Sequence, residues 1–117
     1  MRPVKRHFAK KRACRAGHTH DSIAEATRCD LLHDKQAKGE IVGLKIAPRF
    51  HFNINGRDVK MRNGQVARYT ADFTYIKGNR QICEDVKAKN GFVERDVPLR
   101  LAIFGALFPD IILRIVK

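Results

Sequence analysis

Two runs of β-forming residues, 68–76 and 81–86, flank the turn signal Lys77-Gly78-Asn79-Arg80, and they constrain the fold more than any other part of the chain. Together they predict an antiparallel hairpin. Side chains alternate across a strand with period two, so Asp85 and Lys87 share one face with Cys83, while Ile82, Glu84 and Val86 share the other. Asp72, in Tyr69-Thr70-Ala71-Asp72-Phe73, lies on the first strand. Asp72 and Asp85 are thus carboxylates set in largely apolar strands, where an unpaired charge is expensive. A bound cation would remove that cost.

The rest of the chain supplies partners for the hairpin. Asp21-Ser22 opens a helical pattern that runs through Ile23, Ala24, Ala26, Leu31 and Leu32 to about Gln36, with Gly39 as its stop. Residues 44–54 alternate in their second half, with Phe50, Phe52 and Ile54 against Arg49, His51 and Asn53; this predicts a strand, and Pro48 points to an edge or a bulge near its start. Residues 57–67 are polar and read as a loop or loose hairpin. After Ala88-Lys89-Asn90-Gly91, a mostly apolar segment from about Glu94 to Phe108 predicts a buried helix, with Pro98 suited to the first turn of a helix capped by Asp96. Pro109-Asp110 ends it, and residues 111–116 read as a last strand. The expected fold is α/β in the order α-β-β-β-α-β, a mixed four-stranded sheet flanked by helices.

At 117 residues there is room for one sheet and two helices but not for a second lobe. The formal charge of +12, from 24 Lys and Arg against 12 Asp and Glu, points to a polyanionic partner, because neutralising phosphates releases counterions. Nucleic acid, and DNA first, is the expected partner. A membrane surface is not, since neither a basic amphipathic helix nor a lipidation signal is present. Residues 2–15 hold seven basic side chains (Arg2, Lys5, Arg6, Lys10, Lys11, Arg12 and Arg15) and no acid. We therefore read 1–16 as a flexible arm that grips the nucleic-acid backbone and 17–117 as a single domain. Three cysteines without CxxC spacing argue against a disulfide framework, and no apolar run suits a membrane span or signal peptide, so the expected compartment is the cytoplasm.

Phosphodiester hydrolysis uses a divalent cation to neutralise developing charge and acidify water. Mg²⁺ wants hard oxygen donors, which Asp72, Asp85 and the backbone carbonyl of Val86 would provide. Lys87, two residues beyond Asp85, would orient the water and stabilise the transition state. Glu25 is a third acid on the first helix, falling with Cys29 and Leu32 on the helical wheel. It has a competing role, because Ser22-x-x-Glu25 is also a capping box.

Glu25 on the first helix, Asp72 in Tyr-Thr-Ala-Asp-Phe and Asp85-Val86-Lys87, in that order, resemble the PD-(D/E)XK nuclease superfamily, and most of all its small phage-encoded junction-resolving endonucleases. The resemblance spans about residues 20–117. It implies a restriction-endonuclease-like core, a metal-dependent active site of Glu25, Asp72, Asp85 and Lys87 with Mg²⁺ (Mn²⁺ substituting), and cleavage of DNA, with branched DNA such as Holliday junctions as one preference. It further implies accessory contacts from Arg95 and Arg100 to the phosphate flanking the cut, pairing as a homodimer, and the bacterial host cytoplasm for a phage product. Ala71 stands where the nominal proline would be, and Asp85 replaces the more frequent glutamate. A β-bulge would exchange Asp85 for its neighbour, so Glu84 is the reserve ligand.

Cys14, His18, His20, Cys29 and His33 are residue types that bind Zn²⁺, but their spacings match no zinc module, and we expect no zinc site from sequence. His18 or His20 would instead contact DNA near the active site. The rival to the nuclease reading is a non-catalytic basic nucleic-acid-binding protein, including an inactive nuclease fold.

Overall fold

The computed structural model describes residues 12–20, 22–86 and 96–116. Strands β1 (Arg12–Ala13) and β2 (Thr19–His20) pair antiparallel into a small hairpin. Its turn closes through the Gly17 N–H, which donates to the Cys14 carbonyl at 3.0 Å, and Gly17 takes the φ of +88° that glycine adopts without strain. Residues 12–16, which the sequence reading assigned to the flexible arm, therefore belong to the folded unit. The physical reason is Cys14, which is buried against Ala26, Cys29 and Leu32 of the first helix. Residues 1–11 lie outside the described residues.

Helix α1 (Ile23–Ala37) begins as its sequence dictates: the Ser22 hydroxyl accepts from the Glu25 N–H at 3.0 Å. It ends before Gly39, whose φ is +78°. The helix buries Ala26, Cys29 and Leu32.

Strand β3 (Val42–Ile46) is an edge strand, and its pairing slips in register between Val42 and Lys45. The strand expected over 44–54 then breaks. Ala47 takes a φ of +51°, Pro48 follows, and the chain resumes as β4 (Arg49–His51) and β5 (Asn53–Ile54). Residues β5 and β6 (Arg57–Asp58) form a hairpin across Asn55-Gly56, with a second bridge between Lys60 and Val66, so the polar stretch is the loose hairpin anticipated for it.

The first strand of the acid-bearing hairpin is broken as well, into β7 (Arg68–Thr70) and β8 (Phe73–Lys77). The two breaks face each other, because the Ala71 N–H donates to the Pro48 carbonyl at 3.1 Å and the Ala47 N–H to the Asp72 carbonyl at 2.9 Å. Strands β4 and β7 thereby form a separate antiparallel pair, while β3 and β8 stay in the main sheet. The fork also changes which core each side chain serves. Tyr69 and Ala71 pack with Phe104, whereas Phe73 and Tyr75 pack with α1.

Strand β9 (Arg80–Val86) pairs antiparallel with β8 across the two-residue turn Gly78-Asn79. Helix α2 (Val97–Leu107) follows, with Pro98 in its first turn, and β10 (Ile112–Val116) runs parallel to β9. The main sheet has the order β10-β9-β8-β3, so the fold is α/β with a mixed four-stranded sheet and two helices. One core lies on each side. Cys14, Ala26, Cys29, Leu32, Phe73, Tyr75 and Ile82 form one, and Phe52, Tyr69, Ala71, Cys83 and Phe104 form the other. The second helix differs from the buried one expected. Only Phe104 is fully buried and Leu99 is 64% exposed, because α2 packs a single stripe onto β4 and β7 through Phe104, which stands 4.9 Å from Phe50 and 5.1 Å from Tyr69 between ring centres.

Candidate active site and the neighbouring Cys/His cluster

The fork sets the position of Asp72. Strand β8 begins just past Asp72, and its register with β9 pairs Phe73 with Glu84 and Thr74 with Cys83. Three backbone links hold Asp72 there. The Asp72 N–H donates to the Glu84 carbonyl at 3.1 Å, its carbonyl accepts from Ala47, and its Oδ2 accepts from the Val86 N–H at 2.6 Å. The Asp85 carboxyl and the charge of Glu25 both act on Asp72. Burial above all, then the two neighbouring acids, pushes the Asp72 carboxyl up to about 8, against the opposing Val86 amide. Burial above all, then Asp85 with a smaller effect of Asp72, pushes the Tyr69 phenol up. Glu25 of α1 and Asp85 of β9 thus both act on Asp72 at the fork.

Glu25 carries half of a capping box. Its N–H donates to Ser22, while its carboxylate Oε1 stands 3.4 Å from His20 Nδ1. The helix cap and the acid's position near Asp72 coexist because the cap uses the backbone and leaves the carboxylate to the side chains.

Glu84 occupies the other face of β9, as strand parity predicts, and it has its own partners. Arg28 of α1 donates from Nε to Oε1 at 2.7 Å and from Nη2 to Oε2 at 2.6 Å, and the Tyr75 hydroxyl donates to Oε2. Burial works against the Glu84 charge, but the guanidinium and hydroxyl outweigh it and hold the carboxyl below its usual range. Glu84 is therefore committed to Arg28. Sequence reasoning missed Arg28; the available signal was Glu84 itself, an acid in an apolar strand that needed a cation from elsewhere in the fold.

A family model described as "Protein of unknown function (DUF1064)" matches residues 5–117. The chain belongs to the DUF1064 family. No curated protein and no solved structure matches it.

Of the remaining expected residues of this DUF1064 chain, Arg12, Arg15 and Arg100 are described. Lys87 and Arg95, with Lys5, Arg6, Lys10 and Lys11, lie outside the described residues. Arg12 is exposed on β1. Arg15 is turned onto α1, where its Nη2 meets Asp34 at 2.8 Å and its Nε lies 3.6 Å from Asp30, so helix acids engage part of the charge assigned to DNA. Arg100 bonds Asp96 at 2.8 Å and the Arg68 carbonyl, which joins α2 to the strand leading into the fork.

The carboxylates of Glu25, Asp72 and Asp85 and the Val86 carbonyl are all oxygen donors. These residues fit a hard divalent cation such as Mg²⁺.

Four of the five Cys and His residues set aside by spacing meet at one place. Cys14, His18, His20 and Cys29 bring one donor atom each to within 4.8 Å of one another, although they come from a hairpin turn, a strand and a helix. Linear spacing could not reveal a cluster closed by the packing of a hairpin onto α1. All three cysteines are free thiols, and among the described residues no helix is long and apolar enough to cross a membrane.

Proposed function

We propose that this chain is a metal-dependent endonuclease that hydrolyses DNA phosphodiester bonds, with branched DNA the first substrate to test. What supports the reading is the buried Asp72 carboxyl at the fork beside Asp85 of β9, with Glu25 close enough for its charge to act on Asp72. Asp72 and Asp85, with the Val86 carbonyl, would hold Mg²⁺ or Mn²⁺, and Glu25 would join them directly or through water. The cation, when bound, supplies charge neutralisation at the scissile phosphate and an acidified water. Asp72 would serve as a ligand in its deprotonated form, with its carboxylate oriented by the bond from the Val86 N–H. Lys87, two residues beyond Asp85 in the sequence, would orient the attacking water. The in-line product, 5′-phosphate with 3′-hydroxyl, is what the nuclease resemblance implies.

A second reading, a basic nucleic-acid-binding protein without catalysis, is favoured by the net charge of +12 alone. Supercoiled, linear and four-way-junction DNA incubated with Mg²⁺ or Mn²⁺ separates the two. Metal-dependent cutting that Asp72→Asn and Lys87→Ala abolish supports the nuclease. Tight binding by all variants, with no cutting of any substrate, would sink it.

A further inference from the structure

The Cys14 Sγ lies 3.5 Å from His18 Nδ1, and the Cys29 Sγ lies 3.7 Å from the same nitrogen. A tetrahedral Zn²⁺ with bonds of about 2.3 Å to sulfur and about 2.0–2.1 Å to nitrogen sets such donors about 3.6 Å apart. The two observed edges match that figure.

His20 supplies the fourth corner. Its ring is 2% exposed, and among the described residues its Nε2 is buried without a hydrogen-bond partner. A buried polar atom left in that condition is costly, and native structures rarely tolerate it. The other ring nitrogen, Nδ1, faces the Glu25 carboxylate at 3.4 Å. A carboxylate on one nitrogen that leaves the other for a metal is how zinc-bound histidines are oriented. His33 stacks on His18 with ring centres 5.4 Å apart and planes 15° from parallel, which fixes the plane of the second imidazole.

The local fold gives such an ion a task. Strands β1 and β2 have two residues each, too few for a stable hairpin by themselves, yet they lie against α1 and deliver Cys14, His18 and His20 to Cys29. Two thiols and two imidazoles form a soft donor set that favours zinc over magnesium, unlike the all-oxygen group at Asp72 and Asp85. We propose that Cys14, His18, His20 and Cys29 hold one structural Zn²⁺ that fastens the β1–β2 hairpin to α1.

The test is the metal content of the full-length protein, produced with zinc and dialysed against metal-free buffer. The expected result is about one zinc per chain by elemental analysis. Exchange for Co²⁺ should give the intense visible bands of a tetrahedral site and a thiolate-to-cobalt charge-transfer band. Cys14→Ser and Cys29→Ser should each lose the zinc, while Cys83→Ser keeps it. Zinc well below one per chain, a cobalt spectrum without the thiolate band, or equal retention by Cys14→Ser, Cys29→Ser and Cys83→Ser would each overturn the site. The wild-type cobalt spectrum decides the matter even if the serine variants do not fold. Asp72→Asn should retain its zinc whether or not the wild type cuts DNA, so this site and the nuclease reading fail separately.

Discussion

Glu84 and Asp85 are adjacent on one strand and both are buried, yet the two faces of β9 treat an acid in opposite ways. On the α1 face, Arg28 and Tyr75 complete Glu84, and its carboxyl is held low. On the other face, Asp85 looks across at Asp72, whose carboxyl is driven up to about 8. A buried acid with a fixed guanidinium contributes to architecture. A buried acid set against another acid holds its proton more tightly, and the proposed nuclease function assigns this face to a cation.

The largest expected effect tests the Glu84 face. Arg28→Met strands a buried carboxylate and should cost about 3–5 kcal/mol in urea unfolding, with much of the loss recovered by Glu84→Gln in the same chain. If Arg28→Met is neutral, Glu84 is not held by charge and the contrast collapses. Next, Asp72→Asn and Asp85→Asn should each lower Mg²⁺-dependent cutting by about 100-fold or more, while Glu84→Gln leaves the rate within a few-fold. Equal losses for all three in the cleavage assay would break the division of roles.

The pH dependence has a definite sign. Folded Asp72 titrates near 8 against an ordinary 3.8, so between those values the folded state binds more protons than the unfolded one. Its contribution to stability is complete below the lower value and is lost as pH rises through about 8. Thermal unfolding of the metal-free protein should therefore fall more steeply from pH 5 to 8 in the wild type than in Asp72→Asn, and saturating Mg²⁺ should flatten the difference. The smallest effect concerns the approach to both faces. Ser22→Ala should cost about 1 kcal/mol in the same unfolding assay by removing the α1 cap, with cutting retained because the Glu25 carboxylate does not depend on that bond.

Much of this was legible in the sequence. The Ser22 cap and Gly39 stop bounded α1, and period-two parity alone put Asp85 and Glu84 on opposite faces. The illegible parts are those that distant segments decide together. The breaks at 47–48 and 71–72 require each other through hydrogen bonds between Ala71 and Pro48 and between Ala47 and Asp72, so neither strand announces its break alone. The Arg28–Glu84 pair joins residues 56 apart, and the Cys/His cluster closes only when a hairpin lands on a helix.

The fork at Ala47-Pro48 and Ala71-Asp72 has a practical consequence for protein engineering. Because Asp72 is pinned at the crossing rather than inside an unbroken ladder, its distance from Asp85 is insulated from the length of the β5–β6 tip beyond it. Residues 55–65 should accept a fluorescent tag or a grafted peptide without shifting the acids. A single residue inserted between Ala71 and Phe73 would exchange the inward and outward sides of everything that follows.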